Sequence, residues 1–543
     1  MKKKIVLLIL TVIFCNSLCA CGGGSRSLSG LGGYRSSSKN TYTEFAAEEG
    51  LIYNSLNIPD AGNFQSMVPV GEQPDFNTEE YNNIERNDFK SVAMSPLSTF
   101  ALDVDTGSYP NLRRMLNDGY LLTEVPSGAI RTEEMLNYFE FNFGNTVNGD
   151  KFDITYEISE CPWNEENLIA ALTVGTKQLT DEKGTSNRRN FVILFDTSGS
   201  MDTDDKGGLA IESLNMLMDS ITKDDVVSIV TYAGDQATII EGSNNKTKLK
   251  AALRNVALRL LEGGGTNGSG GIEVAYELAS KYYIEGGNNR VILFSDGDMN
   301  LGLTSQSDLV DLVERNAKET GVFLTTLGFG SGNYSDANME QIANKGNGNY
   351  YYIDCKNEAE RVLINKLDQA TLTVAKDVKI QVEFNPAVVK EYKLLGYENR
   401  ALEDEDFEDD TKDGGETGPG QVVTVLYEIV PSNGEVYTHK LKYQEQVEIN
   451  KDNLDTSEIM TMSIRYKEPE GDTSTLEQYP INFSVSSNPS KDFYFACGLA
   501  ELVTAIDTDE VNEHSESMGF LLKAGSDDSE EREELLDLLE LWL

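Results

Sequence analysis

The sequence predicts an α/β protein: a doubly wound, mostly parallel sheet, with an α+β module before it and a β-rich module after it. Three observations lead to this class. From about residue 190 to residue 376, short apolar runs of strand length alternate with stretches of helical periodicity. Those runs are apolar at successive positions, so both their faces must be buried, which is the condition of a parallel sheet covered by helices on each side. The length of 543 residues exceeds what one hydrophobic core usually serves and suggests about two to four domains.

The N-terminus carries Lys2-Lys3-Lys4, the apolar run Ile5 to Phe14, and then Leu18-Cys19-Ala20-Cys21. This basic, apolar and small-residue succession marks an export signal over residues 1–20, too short to span a membrane as a mature helix. Leu18-x-Ala20-Cys21 resembles a bacterial lipobox, which implies diacylglycerol on Cys21 and a protein anchored outside the cytoplasm, at the bacterial cell membrane or envelope. An ordinary secretory signal cleaved nearby is the alternative. Residues 21–95, opened by Gly22-Gly23-Gly24-Ser25 and rich in Gly, Ser, Asn and Glu, read as a flexible tether.

Residues 96–189 form the N-terminal α+β module. Thr99 to Asp105 alternates as a strand, Asn111 to Asn117 and Thr132 to Phe141 are helical, and Phe152 to Glu157 and Leu168 to Val174 are strands. In the block 190–376 the expected strands are Phe191 to Phe195, Val226 to Tyr232, Val291 to Phe294, Val322 to Leu327 and Tyr350 to Ile353. The expected helices between and after them are Leu209 to Ile221, Lys246 to Leu261, Gly271 to Tyr282, Ser307 to Lys318, Asn338 to Asn344 and Glu358 to Leu372. Residues 377–543 are β-rich, with strands Val378 to Phe384, Val422 to Ile429 and Met460 to Tyr466 around the acidic loop Glu403 to Glu416. Helices Phe493 to Ile506 and Ser529 to Leu543 close the chain. In the last, Leu535, Leu538, Leu539 and Trp542 share a face opposite acidic residues, which suits packing on the C-terminal module better than lying on a membrane.

The formal charge of -45, from 90 acidic and 45 basic residues, argues against nucleic acid as a partner. With only two histidines, His439 and His514, neither near a cluster with ligand spacing, zinc catalysis and a Ser-His-Asp triad are not expected. Cys161, Cys355 and Cys497, an odd number scattered along the chain, imply no disulfide framework.

The strongest chemical signal is Asp196-Thr197-Ser198-Gly199-Ser200 directly after the apolar run Phe191 to Phe195. One carboxylate and two hydroxyls on a tight turn offer three hard oxygens to a divalent cation without neutralising it. The competing account is a helix cap. Two further segments bear on the choice: Gly263-Gly264-Gly265-Thr266-Asn267 before a helix, and Phe294-Ser295-Asp296-Gly297-Asp298 at the end of a strand. In order and spacing the three resemble the metal-ion-dependent adhesion site of von Willebrand factor type A (VWA) domains, a Rossmann-like fold, and the resemblance covers Asn190 to Lys376.

Carried over by matching position, the resemblance implies Asp196, Ser198, Ser200, Thr266 and Asp296 as metal residues. The two serines would coordinate directly, and the threonine and aspartates directly or through water. The cation implied is Mg2+, with Mn2+ or Ca2+ compatible, and its last position would be open to an Asp or Glu of a protein partner. In such domains the last helix can shift on ligand binding, which would make Glu358 to Leu372 a route to the C-terminal module. Asp202, Asp204 and Asp205 could hold a second cation, although a solvated acidic turn explains them as well. Ser98 to Tyr109 with Arg131 to Phe139, and Gly396 to Leu402 with Asp409 to Asp413, resemble the flanking regions of a bacterial lipoprotein family that carries a central VWA domain.

Other motifs read as structural. Asp105-Thr106-Gly107-Ser108 matches an aspartic-protease loop but lacks its second copy, and a turn after a strand explains it. The glycines of Gly263 to Gly271 lack the Gly-Lys-Ser/Thr ending of a phosphate loop, and those of Gly328 to Gly332 suit a tight turn. Glu403 to Asp410 lacks the EF-hand pattern and reads as a solvated loop. The expected function is therefore a surface-anchored, cation-dependent protein-binding module and not an enzyme. The alternatives are an envelope assembly or structural factor in which the metal only stabilises the fold, and a metal-dependent hydrolase with Asp298 as base.

Overall fold

The strand Arg189–Asp196 sends Phe191, Ile193 and Phe195 to one face and Val192 and Leu194 to the other, and all five are fully buried. The first set packs with helices Leu209–Ser220 and Lys246–Glu262, and the second with Gly268–Lys281, Gln306–Thr320 and Asp336–Lys345. Apolar residues at successive positions thus meet a helical layer on each side.

A computed structural model describes residues 78–82, 84–177, 188–298, 306–367, 373–432, 456–469, 471–527 and 529–540. The expected signal peptide, Cys21 and most of the tether lie outside these residues, as do the last part of the expected helix Glu358 to Leu372 and Trp542.

Before the central block come β1 (Lys90–Ser91), β2 (Leu97–Ala101), α1 (Ser108–Asn117), α2 (Thr132–Tyr138), β3 (Asn145–Asn148), β4 (Phe152–Cys161) and β5 (Asn164–Thr176). The central block holds β6 (Arg189–Asp196), α3 (Leu209–Ser220), β7 (Val226–Tyr232), β8 (Gln236–Ser243), α4 (Lys246–Glu262) and α5 (Gly268–Lys281). It continues with β9 (Asn288–Ser295), α6 (Gln306–Thr320), β10 (Phe323–Phe329), α7 (Asp336–Lys345), β11 (Tyr350–Ile353) and α8 (Lys356–Glu360), which runs on as π-helical turns over Arg361–Lys366. Its sheet runs β11-β10-β9-β6-β7-β8, parallel except for β8. Chain order reverses between β9 and β6, the switch point where ligands of such sheets bind. The edge strand β8 was not expected; Gln236 to Ser243 is half exposed and carries too little apolar signal.

After the block come β12 (Ala375–Phe384), β13 (Val389–Leu395), β14 (Gly415–Thr417), β15 (Val422–Pro431), β16 (Glu458–Lys467), β17 (Ser474–Asn482) and β18 (Val485–Ser486). Helices α9 (Lys491–Thr508), α10 (Val511–Ala524) and α11 (Glu530–Leu538) follow. The segments on either side of the central block share their sheets. One sheet runs β1-β13-β15-β5-β4-β18 with β3 beside β4; the other runs β14-β12-β16-β17 with β2 beside β12. The inner faces of both form one core, to which β5 gives Leu168, Ala170, Leu172 and Val174. From the same strand Ile169 and Ala171 face the opposite way, into a core made with α1, α2, α9, α10 and α11. Leu535 and Leu539 of the terminal helix are buried there.

The expected strand Thr99 to Asp105 stops at Ala101. Beyond it Asp103 and Asp105 pair with Arg400, at 2.9 and 3.3 Å, and Asp105 accepts the Tyr350 N–H of β11 at 2.9 Å. The protease-like loop is thus an anchor between Arg400, in the C-terminal segment, and the central sheet. Among the described residues no helix is long and apolar enough to cross a membrane.

Candidate functional site

Asp196 ends β6 and Asp296 follows β9, the neighbouring strand, so the switch point places two carboxylates at adjacent carboxyl ends. Both are fully buried. Asp196 Oδ1 accepts the N–H of Ser198 at 2.9 Å, which closes the turn. Its Oδ2 accepts the Tyr232 hydroxyl at 3.0 Å and the Ser295 hydroxyl at 2.8 Å, from the strands on either side. Ser198 Oγ and Ser200 Oγ are 3.0 Å apart, so the first loop presents its hydroxyls as a pair. Burial, and next the charge of Asp296, push the Asp196 carboxyl up to about 7.

The second loop is tied to the first by the Gly199 N–H, which donates to the Gly264 carbonyl at 3.1 Å, and to the end of β7 by the Asn267 N–H, which donates to the Ala233 carbonyl at 2.6 Å. Between these anchors Thr266 is buried. Asn267 caps α5 through its side chain, and Gly264, at φ +154°, passes so close to Gly234 that a Cβ would meet its nitrogen at 3.1 Å. Asp296 Oδ1 accepts the Asp298 N–H at 3.2 Å, while its Oδ2 accepts Asn333 Nδ2 at 3.2 Å.

Sequence reasoning missed Tyr232, Ser295, Asn333 and above all Lys206. The Lys206 ammonium is 3.1 Å from Asp296 Oδ2 and also donates to Asn333 Oδ1, with its side chain only 5% exposed. A lone basic residue among Asp202, Asp204 and Asp205, followed by Gly207-Gly208, was the available signal. Of the three acids, Asp205 accepts from the N–H and hydroxyl of Ser331, and one oxygen of Asp202 is buried without a hydrogen-bond partner. Glu403 to Asp410 wraps Lys379, whose ammonium donates to the carbonyls of Asp406 and Asp409.

The donor set fits a hard divalent cation: two buried carboxylates, two paired hydroxyls and a buried threonine, all oxygen. Among the described residues no group of three or more His, Cys, Asp or Glu is arranged to hold a metal. A cation held here would take the rest of its donors from neutral hydroxyl oxygens.

Comparison with known proteins agrees with this architecture. The profile of the von Willebrand factor type A domain matches residues 190–366, one described as von Willebrand factor matches 75–170, and one described as "Uncharacterized protein YfbK, C-terminal" matches 369–542. The Uncharacterized protein YfbK of Escherichia coli (strain K12) is 38% identical over 432 residues, covering 78% of this chain and 73% of that protein. Among solved structures, von Willebrand factor type A from Catenulispora acidiphila is similar at TM-score 0.38 and 14% identity, over 73% of this chain and 89% of its own. The ArnB paralog VWA2 from Sulfolobus acidocaldarius is similar at TM-score 0.34 and 17% identity, over 72% of this chain and 93% of its own. On the strength of the Escherichia coli relative, matched over most of both chains, this chain belongs to the YfbK family and carries a VWA domain at its centre.

Proposed function

We propose that the VWA domain holds one divalent cation, Mg2+ in the first instance, through Asp196, Ser198, Ser200, Thr266 and Asp296, and through it binds a protein partner that offers an Asp or Glu. The observation that carries this reading is the pair of fully buried carboxylates at adjacent strand ends, flanked by a serine pair at 3.0 Å. A bound cation supplies an open coordination position for an outside carboxylate. Asp196 is oriented by Tyr232 and Ser295, and Asp296 by the Asp298 N–H and Asn333. In this reading the protein is a binding module and not an enzyme, tethered to the bacterial membrane or envelope through a lipid on Cys21.

The test is calorimetric titration of Mg2+ and Mn2+ into protein that starts at Ser25, beside Asp196→Ala and Thr266→Ala. One saturable site in the wild type that is lost in both variants is the expected result. No binding by a folded wild-type protein would remove the metal reading. A structural role takes its place if Ser198→Ala lowers stability yet leaves every captured partner in place.

A further inference from the structure

Lys206 lies in the acidic turn after the first loop, yet its whole side chain is inside the protein. The path is built for it. Gly330 runs alongside at φ +78°, and a Cβ there would meet Lys206 Cγ at 2.0 Å, so only glycine leaves room for the lysine stem. At the end of that path Asn333 accepts from the ammonium with Oδ1 and donates with Nδ2 to Asp296 and Asp298, each at 3.2 Å. The Asn333 loop is in turn fastened by the first described residues of the chain. The Thr78 N–H donates to the Gly332 carbonyl at 2.7 Å and the Glu80 N–H to the Tyr334 carbonyl at 3.0 Å, while Glu79 accepts the Gly332 N–H at 2.8 Å and pairs with Arg114 of α1 at 3.0 Å.

A buried lysine on a buried carboxylate is costly to assemble, because each charge must be stripped of water before the pair forms. Here the pair has a use. Asp196 and Asp296 are buried at the ends of adjacent strands, where two carboxylates repel each other in a medium that screens poorly. An ammonium on Asp296 relieves that repulsion. Yet an ammonium and a divalent ion on the same carboxylate repel each other in the same medium, and so they compete.

We infer that Lys206 is the resident cation of this metal site: its ammonium holds Asp296 while the divalent ion is absent and is expelled from the pocket when that ion binds. This rests on the metal reading above and adds to it a residue that sets the affinity of the site. Expulsion also breaks the Lys206 hydrogen bond to Asn333, and so loosens the loop that Thr78 to Glu80 fasten.

The inference is tested by titrating Mn2+ into the wild type and into Lys206→Met and Lys206→Gln, the second keeping a donor without the charge. Both variants should bind Mn2+ at least about tenfold more tightly. Equal or weaker binding by variants that stay folded would overturn the lysine's role and leave the metal reading intact, whereas no binding by any of the three proteins would remove both. A second readout uses the wild type alone, so it does not depend on either variant folding. An amine-acylating reagent followed by mass spectrometry should leave Lys206 unlabelled without Mn2+ and label it along the same saturation curve as Mn2+ binds. Saturation with Mn2+ while Lys206 remains protected would overturn the proposal.

Discussion

Asp196 is held by two neighbours: Tyr232 and Ser295 each donate to its Oδ2, from β7 and from the end of β9. Groups that orient a ligand typically change metal affinity by about 10–100-fold when removed. Tyr232→Phe and Ser295→Ala are accordingly each expected to weaken Mn2+ binding by about 10–100-fold with the fold retained, as read by calorimetry and circular dichroism. Asp196, Ser198 and Ser200 are legible in the sequence because they lie within five consecutive residues and follow a doubly apolar run. Tyr232 is not, since its position on the turn is set by the register Asp196 to Tyr232 of two parallel strands. Lys206 is hidden for the opposite reason: Asp204 and Asp205 before it are exposed, and the groups that enclose it, Gly330, Asn333 and Asp296, are distant along the chain.

Among the elements, α1 links the core it shares with α2, α9, α10 and α11 to the central block. Its Arg113 pairs with Asp354 at 2.7 Å, Glu358 at 3.2 Å and Glu534 at 2.8 Å, and so joins the end of β11, α8 and α11. Arg361 also pairs with Glu358, at 3.0 Å, but removing Arg113 takes the ion-pair partner from the buried Asp354, and uncompensated buried charge costs about 3–5 kcal/mol. Arg113→Ala is expected to lose that much in urea unfolding, whereas Glu534→Ala, at the exposed end of the cluster, should lose less than about 1 kcal/mol. Arg131 plays the same part for α2 and α7, with Glu134, Glu340 and Asp336 around it. The central helices and strands are legible because their periodicity is strong. The strands β8 and β17, at sheet edges, the strand β13 and the helix α10 are not, because segments that mix polar with apolar residues carry little periodic signal.

For the molecule as a whole, the acidic composition reaches the interior. Burial pushes Glu133 up to about 7, with Glu398 and Asp103 adding to the shift, and burial pushes Glu134 upward although Arg131 opposes it. The unfolded chain releases these protons near 4.5, so between about pH 4.5 and 7 the folded state holds more protons and its stability falls as pH rises. The melting temperature should therefore drop from pH 5.5 to pH 8.5, and Glu133→Gln should flatten the decline; an unchanged slope would exclude Glu133 as its source. The central block cut out as residues 188–367 loses Arg113, Arg131 and Arg400 from beside Asp354, Glu358, Asp336 and Glu340. It is expected to melt at least about 10 °C below the full chain. What the sequence determined by itself is local: the doubly wound sheet from runs apolar on both faces, and the candidate site's loops from oxygens a few residues apart. What only the tertiary structure decided is every relation across the central block: β5 lies beside β15 although some 250 residues separate them, and Asp105 is tied to Arg400 and Tyr350. Periodicity tells which face of a strand is buried but not which strand pairs with it. Hydrogen bonds, ion pairs and the space beside a glycine decide that, and they depend on distance in space, whatever the separation along the chain.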